Sequence, residues 1–237
     1  MATPVLTPRK EPFYYLAIRA VLGAYMRLYH RMEVEFHPEA PKEPPYIALT
    51  SHFSYLDTVA LFVMDPYKPK TVTAMKASVF KIPVIGALMR ARGMIPVTRD
   101  GRDVAPLRNL LHVLRSKRGI CIAAEGRRSR TGRLGPLNSV VVKLAARAAR
   151  AGMPVFPVAV VGAYESMPAH ALWPRPRKIR VIVHRSIDLR RWKDRGRDEQ
   201  DLEDLAKLLQ NSIAEILPPD RRPAPGTPAL APSGIYD

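Results

Sequence analysis

The chain has 237 residues, enough for one domain of ordinary size with a substantial buried core. It carries 38 Lys and Arg against 21 Asp and Glu, and its formal net charge is +17. This excess favours polyanionic partners, which include nucleic acid, an anionic bilayer surface and phosphorylated substrates. The single cysteine, Cys121, excludes an internal disulfide and indicates a small hydrophobic residue in a reducing compartment.

Residues 1–34 are predicted to form an N-terminal arm and an amphipathic helix. The first dozen residues lack the apolar run of a signal peptide. Residues 13–30 then show helical periodicity, and the predicted apolar stripe consists of Phe13, Leu16, Ala17, Ala20, Val21, Ala24 and Leu28. The segment is too short and too charged to span a bilayer. Two interpretations remain open, a helix lying in the membrane interface and a helix packed on the domain.

Residues 35–217 are predicted to form the main domain. Strand patterns at residues 46–49, 71–75, 94–97, 120–124, 155–161 and 179–184 alternate with helical patterns at 55–64, 103–118, 139–151 and 199–217. This alternation predicts an α/β fold with a mixed, largely parallel central sheet flanked by helices. Residues 80–89 are apolar at nearly every position, which predicts either a buried helix or an exposed apolar lip. Residues 218–237 contain six prolines, and we expect a disordered tail.

The junction between the strand at 46–49 and the helix at 55–64 carries the first candidate site. Ser54 and Asp57 have the spacing of a capping box, with Ser54 at the N-cap. His52 precedes the helix, and a strand-to-helix turn allows its imidazole to fold back beside Asp57. A histidine oriented by a carboxylate is suited to act as a general base. The alternative is that Asp57 only caps the helix and His52 is an ordinary hydrogen-bonded loop residue.

A second candidate block follows the predicted strand at 120–124. Glu125, Arg127, Arg128 and Arg130 are charged side chains at the end of a buried strand, where open α/β sheets bind ligands. The chain has no Gly-rich phosphate loop of the P-loop or dinucleotide type and no metal-ligand spacing. We therefore expect no metal and no tightly held cofactor.

Four blocks in one order resemble the glycerolipid acyltransferases of the 1-acylglycerol-3-phosphate acyltransferase (PlsC-like) type. SHFSYLD at 51–57 resembles the block N-H-x-S-x-x-D. KIPVIG at 81–86, continued by GMIPVTR at 93–99, is similar to the second block, which ends in a phosphate-binding arginine. AEGRRSR at 124–130 resembles the F-P-E-G-T-R-S-R block, and MPVFPV at 153–158 resembles the fourth. The resemblance covers roughly residues 45–165.

This resemblance implies an acyltransferase of phospholipid biosynthesis. The donor would be an acyl thioester, either acyl-CoA or acyl-acyl carrier protein, and the acceptor a lysophosphatidic-acid-like lipid. His52 would take the proton of the acceptor hydroxyl and Asp57 would orient it. Arg99 and Arg128 would bind the acceptor phosphate, and Glu125 with Gly126 would shape its pocket. We expect a peripheral protein on the cytoplasmic face of the cell membrane, bound to an anionic surface.

Four departures from the family pattern occur, and Arg127 leaves the acceptor open because it adds a charge beside the pocket. Ser51 stands where the family has Asn, Ala124 where it has Pro, and Arg127 where it has Thr, and Pro96 with Thr98 alters the second block. Another lysolipid, a lipoamino acid or a glycolipid therefore remains an alternative acceptor. The alternative from a different class is a basic nucleic-acid-binding protein. Against it, the aromatic residues cluster in the N-terminal helix instead of alternating with basic strand residues.

Overall fold

A computed structural model of the chain describes residues 13–64, 71–91, 93–97, 105–168, 170–195 and 198–231. The strands are β1 (Glu33–Phe36), β2 (Ile47–Thr50), β3 (Thr71–Lys76), β4 (Ile95–Val97), β5 (Gly119–Ala123), β6 (Val155–Val161) and β7 (Arg180–Val183). The helices are α1 (Phe13–Leu28), α2 (Tyr55–Met64), α3 (Pro83–Ala91), α4 (Ala105–Arg115), α5 (Ser139–Arg150), α6 (Ala163–Ser166) and α7 (Glu199–Glu215). Short 3-10 turns lie at Ala77–Lys81, Arg190–Trp192 and Pro219–Arg221.

The strands form one sheet, in the order β1-β7-β6-β2-β5-β3-β4. Neighbouring strands are parallel except for β6 and β7, which are antiparallel. As a result β1 and β7 run in the direction opposite to the other described strands. The predicted α/β fold with a mixed, largely parallel sheet is confirmed.

Apolar side chains cover both faces of this sheet. Along β2, Ile47 and Leu49 point to a core that contains residues of α4, α5 and α7. Ala48, between them, points to a second core built with residues of α1 and α2. The central strands are therefore buried on both sides, which explains their continuous apolar sequence.

The helix α1 packs on the domain with a face other than the predicted stripe. Tyr15, Gly23 and Met26 are buried. Among the stripe residues, Phe13 and Leu28 are more than four-fifths exposed, and Leu16, Val21 and the three alanines are exposed as well. The helix thus has two apolar faces, and the periodicity identified the outer one. No helix within the described ranges has the length and hydropathy needed to cross a bilayer.

The apolar segment at 80–89 is divided between the core and the surface. Leu88 and Met89 are buried with Tyr15 of α1, whereas Ile82, Val84 and Ile85 are exposed. Both interpretations of this segment therefore describe a part of it.

The expected disordered tail is in fact packed on the domain over residues 218–231. The amide of Leu137 donates to the carbonyl of Ala229 at 2.7 Å, and the amide of Ala231 donates to the carbonyl of Leu137 at 2.8 Å. The amide group of Gln210 also bridges the carbonyls of Gly135 and Pro228. Apart from the short 3-10 turn at Pro219–Arg221 the segment is irregular, and these side-chain and backbone bonds hold it in place. Residues 232–237 lie outside the described residues.

Truncation of the chain after Arg221 should lower the free energy of unfolding by roughly 2–4 kcal/mol, because it removes two backbone hydrogen bonds and uncovers apolar surface around Leu137. Urea unfolding followed by circular dichroism measures this loss. Truncation after Ala231 keeps every described contact and is the matched control. Equal stability of the two truncated proteins would contradict the packed tail.

Candidate active site

Strand pairing brings the two candidate blocks together. β2 and β5 are parallel neighbours, and Thr50 lies opposite Ala123 in their register. The pairing continues past the strand ends, since the amide of Ala124 donates to the carbonyl of Thr50 at 2.8 Å. Further along the two loops, the amide of Ser129 donates to the carbonyl of His52 at 2.8 Å. The His52 turn and the Glu125 loop therefore lie side by side at the carboxyl edge of the sheet.

One oxygen of Asp57 accepts hydrogen bonds from three groups of the His52 turn. The backbone amides of Phe53 and Ser54 donate to its Oδ2 at 2.6 and 2.7 Å. His52 Nδ1 lies 3.2 Å from the same oxygen. Asp57 is at the third position of α2, and Ser54 Oγ in turn accepts from the amide of Leu56 at 3.2 Å. This reciprocal arrangement is a capping box that also binds the imidazole.

The contact with Asp57 defines the hydrogen-bonding state of the imidazole. A carboxylate oxygen that accepts hydrogen bonds from two backbone amides has no hydrogen to donate. Nδ1 must therefore be the donor in this contact, so Nδ1 carries the hydrogen. Nε2 of the neutral ring then has the free lone pair. The His52 side chain is 24% exposed, whereas that of Asp57 is 3% exposed. No described protein group binds Nε2, which leaves this nitrogen open to a substrate proton.

A contact that the sequence does not reveal fixes the turn from its other side. Ser54 Oγ donates to the carbonyl of Met167 at 2.7 Å, across 113 positions of the chain. Met167 lies directly after α6. This bond links the first turn of α2 to the segment that connects α6 and β7.

Glu125 is buried between the two loops. Its Oε2 accepts from the amide of His52 at 3.3 Å, and its Oε1 accepts from the amide of Gly135 at 2.8 Å. Burial raises the pKa of this carboxyl to about 7, although both amides favour the charged form. Gly126 follows with φ +70°, a left-handed conformation that lets the chain turn sharply after the strand. Nothing in the sequence identified Gly135 as a partner.

Arg128 is half-buried, and its guanidinium lies over the ring of Tyr55, 3.9 Å from the ring centroid. Tyr55 is the first residue of α2, so this cation lies beside a helix N-terminus. Arg127 is exposed. Arg99 lies outside the described residues, so the structure does not report its position. β4, which ends at Val97, is parallel to β3 and ends at the same sheet edge.

A histidine oriented by a carboxylate, next to a cationic loop at the carboxyl edge of an α/β sheet, is an arrangement that can perform general-base chemistry on an anionic substrate. The family model described as acyltransferase matches residues 31–161, more than half of the chain. The chain belongs to the acyltransferase family.

Named relatives specify the branch of this family that the chain resembles. The chloroplastic 1-acyl-sn-glycerol-3-phosphate acyltransferase BAT2 of Brassica napus is 31% identical over 149 residues, which are 61% of this chain and 41% of that protein. The chloroplastic enzyme LPAT1 of Arabidopsis thaliana is 26% identical over 184 residues, which are 76% of this chain and 50% of that protein. The chain therefore spans about half the length of these plant relatives.

A solved structure has the same fold. The crystal structure of PlsC, the 1-acyl-sn-glycerophosphate (LPA) acyltransferase from Thermotoga maritima, superposes with a TM-score of 0.62. The match covers 86% of this chain and 80% of that one, at 19% identity. At this identity the likeness establishes the fold, which agrees with the sheet described above.

The buried carboxyl of Glu125 should make stability depend on pH. Its pKa is about 7 in the folded protein, against an ordinary value of 4.5. As pH rises, the carboxyl therefore loses its proton at a lower pH in the unfolded chain than in the folded protein. The free energy of unfolding consequently decreases as pH rises from about 4.5 to 7. Compared with the variant Glu125→Gln, the wild-type protein should lose on the order of 2–3 kcal/mol of unfolding free energy across this window.

Chemical denaturation at a series of pH values checks this expectation. Glu203→Gln, at an exposed position of α7, is the matched control for removal of a carboxyl. A difference between wild type and Glu125→Gln that stays constant over the window would contradict the buried, proton-binding state of Glu125.

Proposed function

We propose that the protein is an O-acyltransferase that moves a fatty acyl group from a thioester of coenzyme A or acyl carrier protein to the hydroxyl of a lysophosphatidic-acid-like acceptor. The observation that carries the proposal is the His52 imidazole, bound through Nδ1 to Asp57 and open at Nε2, beside the Arg128 loop. Membership of the acyltransferase family and the names of the relatives support it.

The proposed reaction is a direct transfer between thioester and alcohol. The Nε2 lone pair of His52 accepts the hydroxyl proton while the acceptor oxygen attacks the thioester carbonyl. The new carbon–oxygen bond forms, the carbon–sulfur bond breaks, and the imidazolium returns its proton to the thiolate. Asp57 stabilises the imidazolium, and its two backbone bonds hold it in place. The mechanism uses no metal and no bound cofactor, because the thioester is a co-substrate.

A covalent acyl-enzyme is not part of the proposal. Cys121 is half-buried within β5 and packs against the core on the α1 and α2 side of the sheet. The acceptor oxygen therefore serves as the nucleophile.

We assign the acceptor phosphate to Arg128. The contact with Tyr55 holds the guanidinium, and no group among the described residues binds its edge, which can donate paired hydrogen bonds to phosphate oxygens. The nearby N-terminus of α2 adds a favourable field for an anion. Glu125 and Gly126 shape the pocket through the loop that they fold. Arg99 belongs to the proposal through the family resemblance alone.

We further propose that the protein binds peripherally to an anionic membrane surface, on the cytoplasmic face. The exposed apolar face of α1 supports this assignment, because the side chains of Phe13, Val21 and Leu28 are largely exposed. The formal net charge of +17 adds attraction to anionic lipid.

The variant His52→Ala should fold normally and lose acyl transfer by about 10²- to 10⁴-fold, because general-base catalysis typically contributes this factor. A thiol-release assay with acyl-CoA measures the rate, and thermal unfolding checks the fold. His112→Ala, at an exposed position of α4, is the matched control.

The variant Asp57→Asn separates the cap from the catalytic role. Its amide oxygen still accepts the two backbone amides, so the rate should fall much more than the stability. Near-normal turnover of either variant would rule out the proposed mechanism.

The variant Arg128→Ala should raise the KM for a 1-acylglycerol-3-phosphate acceptor by about 10- to 100-fold, because a phosphate loses a charged partner. The KM for the thioester should change little. Arg127→Thr is the matched control, since it removes the neighbouring exposed charge and restores the residue that the family has there.

Mass spectrometry of the products from a panel of lysolipids, lipoamino acids and glycolipids, each offered with one thioester, identifies the preferred acceptor. Equal rates of transfer to phosphate-free and phosphorylated acceptors would contradict the assignment of the acceptor phosphate to Arg128. A shift towards the phosphomonoester in Arg127→Thr would indicate a different natural acceptor.

Replacement of Phe13, Val21 and Leu28 by Ser should weaken flotation with anionic vesicles by about tenfold or more, because it removes apolar contact with the lipid. Wild-type binding should also fall as salt is added. Phe36→Ser, at an exposed apolar position of β1, is the matched control. Equal flotation with neutral vesicles at high salt would contradict the electrostatic part of the proposal.

A further inference from the structure

The segment between α6 and β7 exposes two large apolar side chains. Leu172 is 85% exposed and Trp173 is 82% exposed. Tryptophan is highly buried on average in folded proteins, so an exposed Leu-Trp pair is an unusual surface. These two residues are called the Trp tip below.

Hydrogen bonds on both sides of the Trp tip hold it away from the core. Before it, the amide of Ala171 donates to the carbonyl of Pro168 at 2.9 Å. After it, the amide of Arg175 donates to the carbonyl of Ser166 at 2.9 Å, and Ser166 Oγ donates to the carbonyl of Arg175 at 2.6 Å. The hydrogen bonds of the loop itself therefore keep Leu172 and Trp173 exposed.

Basic residues follow the Trp tip in the chain. Arg175, Arg177 and Lys178 are all exposed, and no acidic residue occurs in the sequence between Glu165 and Asp188. Lys178 is paired with Glu33, whereas neither Arg175 nor Arg177 contacts a carboxylate among the described residues. A tryptophan beside cationic side chains fits the headgroup region of an anionic bilayer, where the ring is buried and the charges meet lipid phosphates.

The Trp tip is joined to the exposed helix α1. Tyr29 Oη donates to the carbonyl of Pro174 at 3.1 Å. His30 Nδ1 lies 3.3 Å from the carbonyl of Arg177, and the amide of Ile179 donates to the carbonyl of His30 at 3.0 Å. Three contacts thus join the C-terminal end of α1 to the loop.

The same loop lies at the catalytic edge of the sheet. Because β7 is antiparallel to β6, Arg180 at its start pairs with Val161 at the end of β6. Val158 of β6 pairs with Thr50, two residues before His52. The bond between Ser54 and the carbonyl of Met167 then ties the start of the loop to the His52 turn.

We propose that the Trp tip is a second membrane contact, which inserts Leu172 and Trp173 into the interface of an anionic bilayer next to α1. This contact holds the His52 site against the lipid surface, where a lysolipid acceptor resides. The proposal rests on the proposed function for its purpose, but the contact itself is measurable without any catalysis.

Intrinsic fluorescence tests the contact directly. The chain has two tryptophans, and Trp192 is buried with 1% exposure. Any response to vesicles therefore reports Trp173. Vesicles of phosphatidylcholine and phosphatidylglycerol should shift its emission to shorter wavelength, and brominated acyl chains should quench it. The variant Trp173→Phe should show neither effect.

Partition measurements give the size of the effect. Leu172→Ser combined with Trp173→Ser should lower the vesicle partition coefficient about 10- to 100-fold, because two apolar side chains lose their contact with lipid. Both positions are exposed, so the double variant should fold normally, and circular dichroism verifies this. The Phe36→Ser variant is again the control for loss of an exposed apolar side chain.

Three results would overturn the proposal. The first is an unchanged emission spectrum under conditions in which the wild-type protein floats with the vesicles. The second is a partition coefficient that the double serine variant leaves unchanged. The third is an emission shift caused by acyl carrier protein and not by vesicles, which would make the Trp tip a protein-docking surface.

Activity assays separate this proposal from the proposed function. Transfer to a short-chain, monomeric lysophosphatidic acid in the absence of vesicles should be the same in wild type and in the double serine variant. Transfer to an acceptor embedded in vesicles should fall only in the variant. A wild-type protein without transfer in either assay would refute the proposed function, whereas the fluorescence result would still decide the membrane contact.

Discussion

The site depends on the Asp57 carboxylate, which collects three N–H donors of the His52 turn on one oxygen. Two of these donors belong to the backbone, so the carboxylate shapes the turn as well as the ring orientation. Hydrogen bonds to a charged group contribute about 1.5–3 kcal/mol each, and Asp57 is buried, so their geometry is tightly held. Helix capping and orientation of the His52 imidazole are consequently two effects of the same contacts.

The rest of the site is held by bonds that converge from distant parts of the chain. Glu125 joins the His52 turn to Gly135, and Met167 binds Ser54 from the opposite side. The bonds from His52 to Glu125 and from Ser54 to Met167 join segments that follow different strands, so the strand order of the sheet decides which loops meet. The bond from Gly135 to Glu125 lies within a single loop. This support fixes the position of the imidazole before any substrate binds, which is what the proposed general-base role requires. A buried carboxyl with a raised pKa is one cost of this arrangement.

Local patterns predicted most of the fold because the central elements are strongly periodic. The bounds of α2 and β6 and the proximity of His52 to Asp57 follow from the sequence, since capping and strand burial are local effects. β1 was missed because its alternating Glu33–Phe36 segment is a strand only through its pairing with β7. Periodicity gave no criterion to decide which apolar face of α1 is buried. The packed tail and the Tyr55–Arg128 stack depend on tertiary contacts that composition does not encode.

The pairing of β1 also determines when the N-terminal part of the molecule joins the sheet. Glu35 and Arg180 lie 145 positions apart, and β7 is the strand that neighbours β1 in the sheet. During synthesis β1 therefore has no strand to pair with until β7 has left the ribosome. Closing so long a loop is also entropically slow. The most N-terminal of the described strands can thus pair only after the most C-terminal of them has been made.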